Sequence, residues 1–282
     1  MAIKVDRNRA IAGAALGVAL LGTAALALSN RNAAPEASVT VSVPPPVTDR
    51  IYASPMARGR PIVVLDAGHG GRDPGATSVS GEVKERDMTL ALAQELRDQL
   101  VKRGRVRVAM SRDDDRYLDL EQRAALARRL NAAMFVSLHM DSAPNPLARG
   151  ASVYSLSDVA SDTEAARFAA IENGPAPTRD GDGSVAALLS DLAMEGQMRS
   201  SADLAARLVR KSAGRFELRP EPHRFAAFHV LRRADTPAVL FEAGYLSNAD
   251  DELLLRSPQH RAAIALALAQ AIEADVASRA VR

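Results

Sequence analysis

Four side chains carry the chemistry this sequence could perform: His69, Glu85, His139 and Glu242. Two histidines and one carboxylate are the usual protein ligands of a catalytic zinc, which keeps a fourth position for water. Zinc lowers the pKa of that water toward neutrality, and a separate carboxylate can take its proton as it attacks a carbonyl. The chain lacks HExxH, so a metalloprotease helix carrying both histidines is excluded. Periodicity leaves the carboxylate ligand open between Glu82 and Glu85, which flank the start of one helix. Asp141 follows His139 by two residues and so faces the same side of an extended segment, either as an extra ligand or as a solvated loop carboxylate.

Three apolar runs must position these groups. Ile62-Val63-Val64-Leu65 delivers Asp66 and then His69 onto a Gly-rich loop; Met134 to Leu138 runs into His139; Ala238 to Phe241 runs into Glu242. Ligands of open α/β sheets bind outside the carboxyl ends of the strands, so three such ends imply one converging site. Between them the spacing predicts an amphipathic helix over Glu85–Arg103, a strand over Val106–Met110, a polar loop over Ser111–Asp115 and a helix over Leu120–Leu130 with a basic outer face. A fourth strand is expected at Ala151–Leu156, further strands at Phe228–Leu231 and Pro237–Phe241, and a last helix over Pro258–Val276. The expected fold is a single α/β domain, with a mostly parallel mixed sheet of about six strands flanked by helices and carrying a helical insert over about 157–211. In that insert Ala165–Glu172 and Val185–Arg210 read as helices, the second weakened at Gly196. Asp180-Gly181-Asp182-Gly183 between them lacks the further ligands of a calcium loop and reads as a flexible link.

Composition narrows the class. Residues 1–60 hold 7 Lys/Arg against 3 Asp/Glu, leaving 29 against 31 for the remainder, so the folded part is not basic and a nucleic-acid partner is not expected. Aromatic residues are 4% and Trp is absent, which excludes stacking platforms for single-stranded nucleic acid. Lys4, Arg7 and Arg9 precede an uncharged Ala/Leu-rich run over Ala10–Ser29, the form of a signal peptide (1–29) or an uncleaved signal anchor, so export to the periplasm or cell envelope is expected. Membrane contact is then limited to that segment. A Pro/Ala-rich linker follows over 30–60, too short for an amino-terminal targeting domain, and the catalytic unit is expected over 61–282, with no wall-binding repeats after it. No cysteine is present, so stability comes from an ordinary core.

The segments LDAGHGGRDPGA, GEVKERDMTLALA, FVSLHMDSA and PAVLFEAGYLSN, in that order between about Pro61 and Ala277, resemble the zinc-dependent N-acetylmuramoyl-L-alanine amidases of type 3, which cut peptidoglycan. The resemblance implies that His69, Glu85 and His139 bind Zn2+, which selects Glu85 over Glu82, and that Glu242 is the catalytic acid/base. It implies hydrolysis of the amide between the lactyl group of N-acetylmuramic acid and L-alanine. In the cell-division branch of that family an inserted helix blocks the zinc with an acidic residue until an activator protein displaces it. AARFAAIEN (165–173) is similar to the start of that insert, with Glu172 the first choice for the blocking carboxylate and Glu164 the second. A surface helical hairpin that serves packing alone is the other reading of this region. His223 and His229, beside Arg224, Arg232 and Arg233, form a basic cluster that reads as a solvated rim or as a contact for the peptide's carboxylates. Two other functions suit the same residues: a zinc carboxypeptidase-like peptidase, less well matched by the GHGG and E-R-D context, and a non-catalytic wall-binding protein, to which Glu242 would be superfluous.

Overall fold

The computed structural model describes residues 49–174 and 185–280. The signal segment, most of the linker and the Asp180–Gly183 link lie outside the described residues.

Seven strands form one sheet: β1 (Ile51–Tyr52), β2 (Ile62–Ala67), β3 (Arg107–Met110), β4 (Met134–Asp141), β5 (Ala151–Leu156), β6 (Leu218–Ala226) and β7 (Ala238–Tyr245), in the order β1-β3-β2-β4-β7-β5-β6. β3, β2, β4 and β7 are mutually parallel, β5 runs antiparallel to β7, and β6 is parallel to β5. Every residue of β2, β4 and β7 is buried, which is why they read as continuous apolar runs. β1 pairs with β3, so residues 51–52, expected within the linker, belong to the sheet.

Helices cover both faces. On one lie α1 (Glu85–Arg103), the carboxyl-terminal part of α4 (Val185–Ser212) and α7 (Pro258–Arg279), with Leu92, Leu96, Leu204, Leu208, Leu268 and Ile272 in a core shared with Val63, Leu65, Val136 and Phe241. On the other lie α2 (Leu120–Arg129), α3 (Thr163–Asn173) and α5 (His229–Arg233), packed on Val64, Phe135, Tyr154 and Leu240. α6 (Ala249–Arg256) precedes α7. Local signals set the ends. Gly104 takes φ +66° and closes α1 with an N–H bond to Leu100 O, and Asp119 with Gln122 forms a reciprocal cap on α2.

One expectation needs correction. Phe228–Leu231 is not a strand: β6 ends at Ala226 and His229 begins a helical turn whose first N–H is accepted by Asn173 Oδ1 at 2.7 Å. A short apolar run cannot distinguish a strand from a buried turn of helix, and here a cap from a distant helix decides. Arg128 and Arg129 are exposed on the outer face of α2, while Arg123 is 4% exposed and points into the site. Within the span expected as an insert, Leu204, Ala205 and Leu208 of α4 are core residues.

Candidate active site

The loop after β2 is held from below by buried charge. Asp66, fully buried, accepts from Ser111 Oγ at 2.6 Å, Ser137 Oγ at 2.7 Å and Arg123 Nη1 at 2.9 Å. Burial opposes its ionisation, but Arg123 and the two hydroxyls outweigh it and hold its pKa below the usual value. Arg123 also donates to Ala67 O at 2.7 Å and His69 O at 2.6 Å; Arg112 donates to Ala67 O at 2.9 Å and Gly68 O at 2.8 Å. Two guanidinium groups thus clamp the carbonyls of 67–69, where His69 sits at φ +59°, a left-handed conformation uncommon outside glycine. Glycine is required at Gly68, where a Cβ would lie 2.5 Å from the His139 ring, and at Gly75, where it would meet Glu85 Oε2 at 2.5 Å and His69 Cδ2 at 2.7 Å.

His69, Glu85 and His139 meet in this space. Glu85 is the first residue of α1; its Oε1 lies 3.0 Å from His69 Nε2 and 3.1 Å from His139 Nδ1, and Oε2 accepts the Ala76 N–H at 2.8 Å. His69 Nδ1 is 2.9 Å from Asp73 Oδ2, which orients the ring and leaves Nε2 facing inward. That Nε2 is buried and makes no hydrogen bond despite its short distance to Glu85. Burial disfavours the charged imidazole, yet Glu85, Asp73 and Glu172 together push the His69 pKa up to about 11. Glu85 is buried too, but the two histidines hold its carboxyl well below the ordinary range. This is a site that asks for positive charge between its donors. Nitrogen and oxygen donors converging on one point, with an unbonded buried nitrogen aimed at it, fit a zinc ion.

Glu172, near the end of α3, reaches the same point: Oε2 is 3.4 Å from His139 Nδ1 and 3.8 Å from His69 Nε2. One donor atom each from His69, His139 and Glu172 all lie within 4.8 Å of one another, a spacing suited to a metal ion. Burial, with Glu85 and Asp73 nearby, raises the Glu172 pKa against the pull of the histidines. Asn173 anchors the end of α3, its Nδ2 donating to Ala227 O at 2.8 Å while its Oδ1 caps α5. Glu164, a full two turns earlier, is not at this point; it pairs with Arg219 and Arg224 of β6.

Glu242 on β7 stands directly opposite His139 on β4. It is fully buried, neither carboxylate oxygen has a hydrogen-bond partner, and burial followed by the charges of Asp141, Glu85 and Glu172 raises its pKa well above the ordinary value. A buried carboxyl whose proton affinity is raised in this way is the kind of group that can exchange a proton with a reacting partner. Asp141 is buried, accepts the Ser142 N–H at 2.6 Å and is not a member of the His69/His139/Glu172 group; between His139 and Asp141 it is the paired strand β7 that carries the extra residue, since His139 faces Glu242 and Asp141 faces Tyr245. A cavity of about 940 Å³ opens on the site, lined by His69, Glu85, His139, Arg167 and Glu172 among others.

Sequence reasoning missed Asp73, Arg112, Arg123 and Arg219. Asp73 had a local signal, lying four residues after His69 in the same Gly-rich loop. The arginines had none, since their partners are 44 to 57 residues away.

A family model described as N-acetylmuramoyl-L-alanine amidase (Amidase_3) matches residues 63–274. The chain is 36% identical over 221 residues to the amidase AmiC of Neisseria meningitidis, covering 76% of this chain and 52% of that protein. It is 31% identical over 234 residues to AmiA of Escherichia coli, covering 80% of each. The chain thus spans about half the length of the first of these relatives and most of the second. Among solved structures, the catalytic domain of the amidase CwlV from Bacillus (Paenibacillus) polymyxa var. colistinus superposes with a TM-score of 0.55 at 27% identity, over 75% of this chain and 96% of that one. The fold, the convergence of histidines and carboxylates at the strand ends and these matches together make the chain a member of the N-acetylmuramoyl-L-alanine amidase family.

Proposed function

We propose that this chain hydrolyses the amide between N-acetylmuramic acid and L-alanine in peptidoglycan, after export through its amino-terminal segment. The observation that carries the reading is the approach of Glu85 to 3.0 and 3.1 Å of inward-facing nitrogens of His69 and His139, beside an unpartnered buried Glu242. His69, Glu85 and His139 are the residues that would hold zinc. Zinc in such a set supplies Lewis-acid polarisation of a carbonyl and lowers the pKa of water. Glu242 takes the proton of the attacking water and returns it to the leaving amine, and its dry, carboxylate-rich surroundings keep its proton affinity high enough for both transfers. Asp73 orients His69, and the Arg112/Arg123 clamp fixes the loop so that no ordering is needed as substrate binds.

The docked α3 is the resting, inhibited state in this proposal. Glu172 occupies the space where the scissile carbonyl must sit, and an activator protein that draws α3 away opens the site. Glu172 is the inhibitory residue; Asp141 acts through the field at Glu242 rather than on the metal. The test combines metal analysis with mass spectrometry of digested sacculi. Stoichiometric zinc, stem peptides beginning with L-alanine and unsubstituted glycan strands are expected, with more product from Glu172→Gln than from the native chain. Release of terminal amino acids instead would mark a peptidase, and no release from either would remove the hydrolytic reading.

A further inference from the structure

The amino-terminal half of α3 is held by a second cluster, separate from the metal-ligand group. Glu164 makes a two-pronged pair with Arg219, Nη1 to Oε1 at 3.1 Å and Nη2 to Oε2 at 2.9 Å, and receives Arg224 Nη1 at 3.3 Å and the Tyr245 hydroxyl at 3.3 Å. Arg224 also grips both oxygens of Asp162, the residue that caps α3. Arg219 and Arg224 are five apart and would face opposite sides of a regular strand. β6 breaks that parity: Ala151 pairs with Leu218 but Val153 pairs with His223, so extra residues bulge out and both guanidinium groups reach one carboxylate. Arg224 is 4% exposed, and its Nε is buried without a partner.

The cluster adjoins the reacting centre. Tyr154, opposite Arg224 on β5 and opposite Leu240 on β7, lies in the fields of both arginines and of Asp141 and Glu242. Along α3, Glu164 and Glu172 are eight residues apart, roughly 12 Å. Three residues of extended peptide span about 10–11 Å.

We propose that Arg219 and Arg224 form the receptor for a carboxylate on the second or third residue of the stem peptide, and that Asp162 and Glu164 fill it while α3 is docked. This deepens the amidase reading and rests on it. Helix α3 then imitates the substrate at two points, one carboxylate at the metal ligands and one at the arginines. Removing α3 leaves two guanidinium groups, one of them deeply buried, without counter-charge, a costly state that an incoming carboxylate relieves. Substrate and helix compete for one pair of arginines, so peptide binding favours release of the helix and release of the helix favours peptide binding.

The test uses the zinc-loaded full chain carrying Glu172→Gln as reference, with N-acetylmuramoyl tetrapeptide bearing free side carboxylates and its counterpart amidated at those positions. The reference is expected to favour the free acid by about 10- to 100-fold in kcat/KM, the worth of a charge-assisted hydrogen bond to a buried cation. Arg219→Gln and Arg224→Gln are expected to erase that preference through KM with kcat kept. Equal cleavage of both substrates by the reference, or equal loss on both in the arginine variants, overturns the receptor while leaving the amidase reading intact. Cleavage of neither substrate by the reference overturns both. Binding of the free tripeptide, measured by calorimetry, gives a readout independent of turnover and of whether Arg224→Gln folds. The double variant Asp162→Asn, Glu164→Gln is expected to bind it at least about tenfold more tightly than the native chain, and unchanged affinity overturns the proposal.

Discussion

The two walls of the pocket are built by different physics. The sheet wall carries buried His139 and Glu242 on β4 and β7 and the partly buried His69 on the loop after β2, with Asp66, Arg112 and Arg123 hydrogen-bonded beneath them. The helix wall, α3, touches the core through Ala165, Phe168 and Ala169, and is otherwise held by ion pairs whose acidic partners are a third or more exposed or nearly so, and by Asn173. The α3 pairs each set a part-exposed carboxylate against a guanidinium, whereas the Asp66–Arg123 pair is buried on both sides and is the more strongly destabilising to break. The difference is one of construction: one wall is tied into the core on every side, the other rests on a few core contacts and an anchoring Asn173.

The contrast can be attacked at its strongest point first. Glu242→Gln is expected to lower kcat by roughly 10²–10⁴-fold with zinc content and melting behaviour retained, measured on murein and by metal analysis. Asp66→Asn leaves the Arg123 guanidinium buried without its counter-charge and is expected to destabilise by roughly 3–5 kcal/mol in urea unfolding. The folded pKa of Asp66 lies below its ordinary 3.8, so its contribution is present above that value and is lost as pH falls through the folded one. The native chain therefore loses stability on acidification through that range, and the Asn variant lacks that component. On the helix wall the effects reverse sign for activity. Glu172→Gln weakens the hold on the histidines and is expected to raise basal hydrolysis by about 10-fold or more, an equilibrium shift of roughly 1.4 kcal/mol, with little change in unfolding midpoint. Asn173→Ala removes two hydrogen bonds that hold α3 to the chain around α5, and is expected to raise basal activity several-fold, on the order of 1 kcal/mol, visible as faster amide exchange in α3. If Glu172→Gln destabilised the whole domain as much as Asp66→Asn, the division into scaffold and removable wall would fail.

Much of this was readable locally. A strand that ends in a glycine loop announces His69, the four-residue spacing from Met88 to Leu100 announces α1 and so places Glu85 at a helix start, and continuous apolar runs announce buried parallel strands. The failures share a cause. Phe228–Leu231 turned from strand to helix because Asn173 caps it, and Arg123 went unnoticed because the Asp66 it turns inward to meet is 57 residues away.

The sequence by itself determined the reacting residue types, their strand-end and helix-start positions and the layered α/β class, since each rests on periods of two to four residues. Only the tertiary structure decided that Glu85 meets both histidines, that Arg112 and Arg123 clamp the His69 loop, and that a bulge in β6 turns Arg219 and Arg224 toward one carboxylate of α3. Those facts depend on register and on charges dozens of residues apart, where burial removes water as a competing partner and lets a few distant groups fix the geometry.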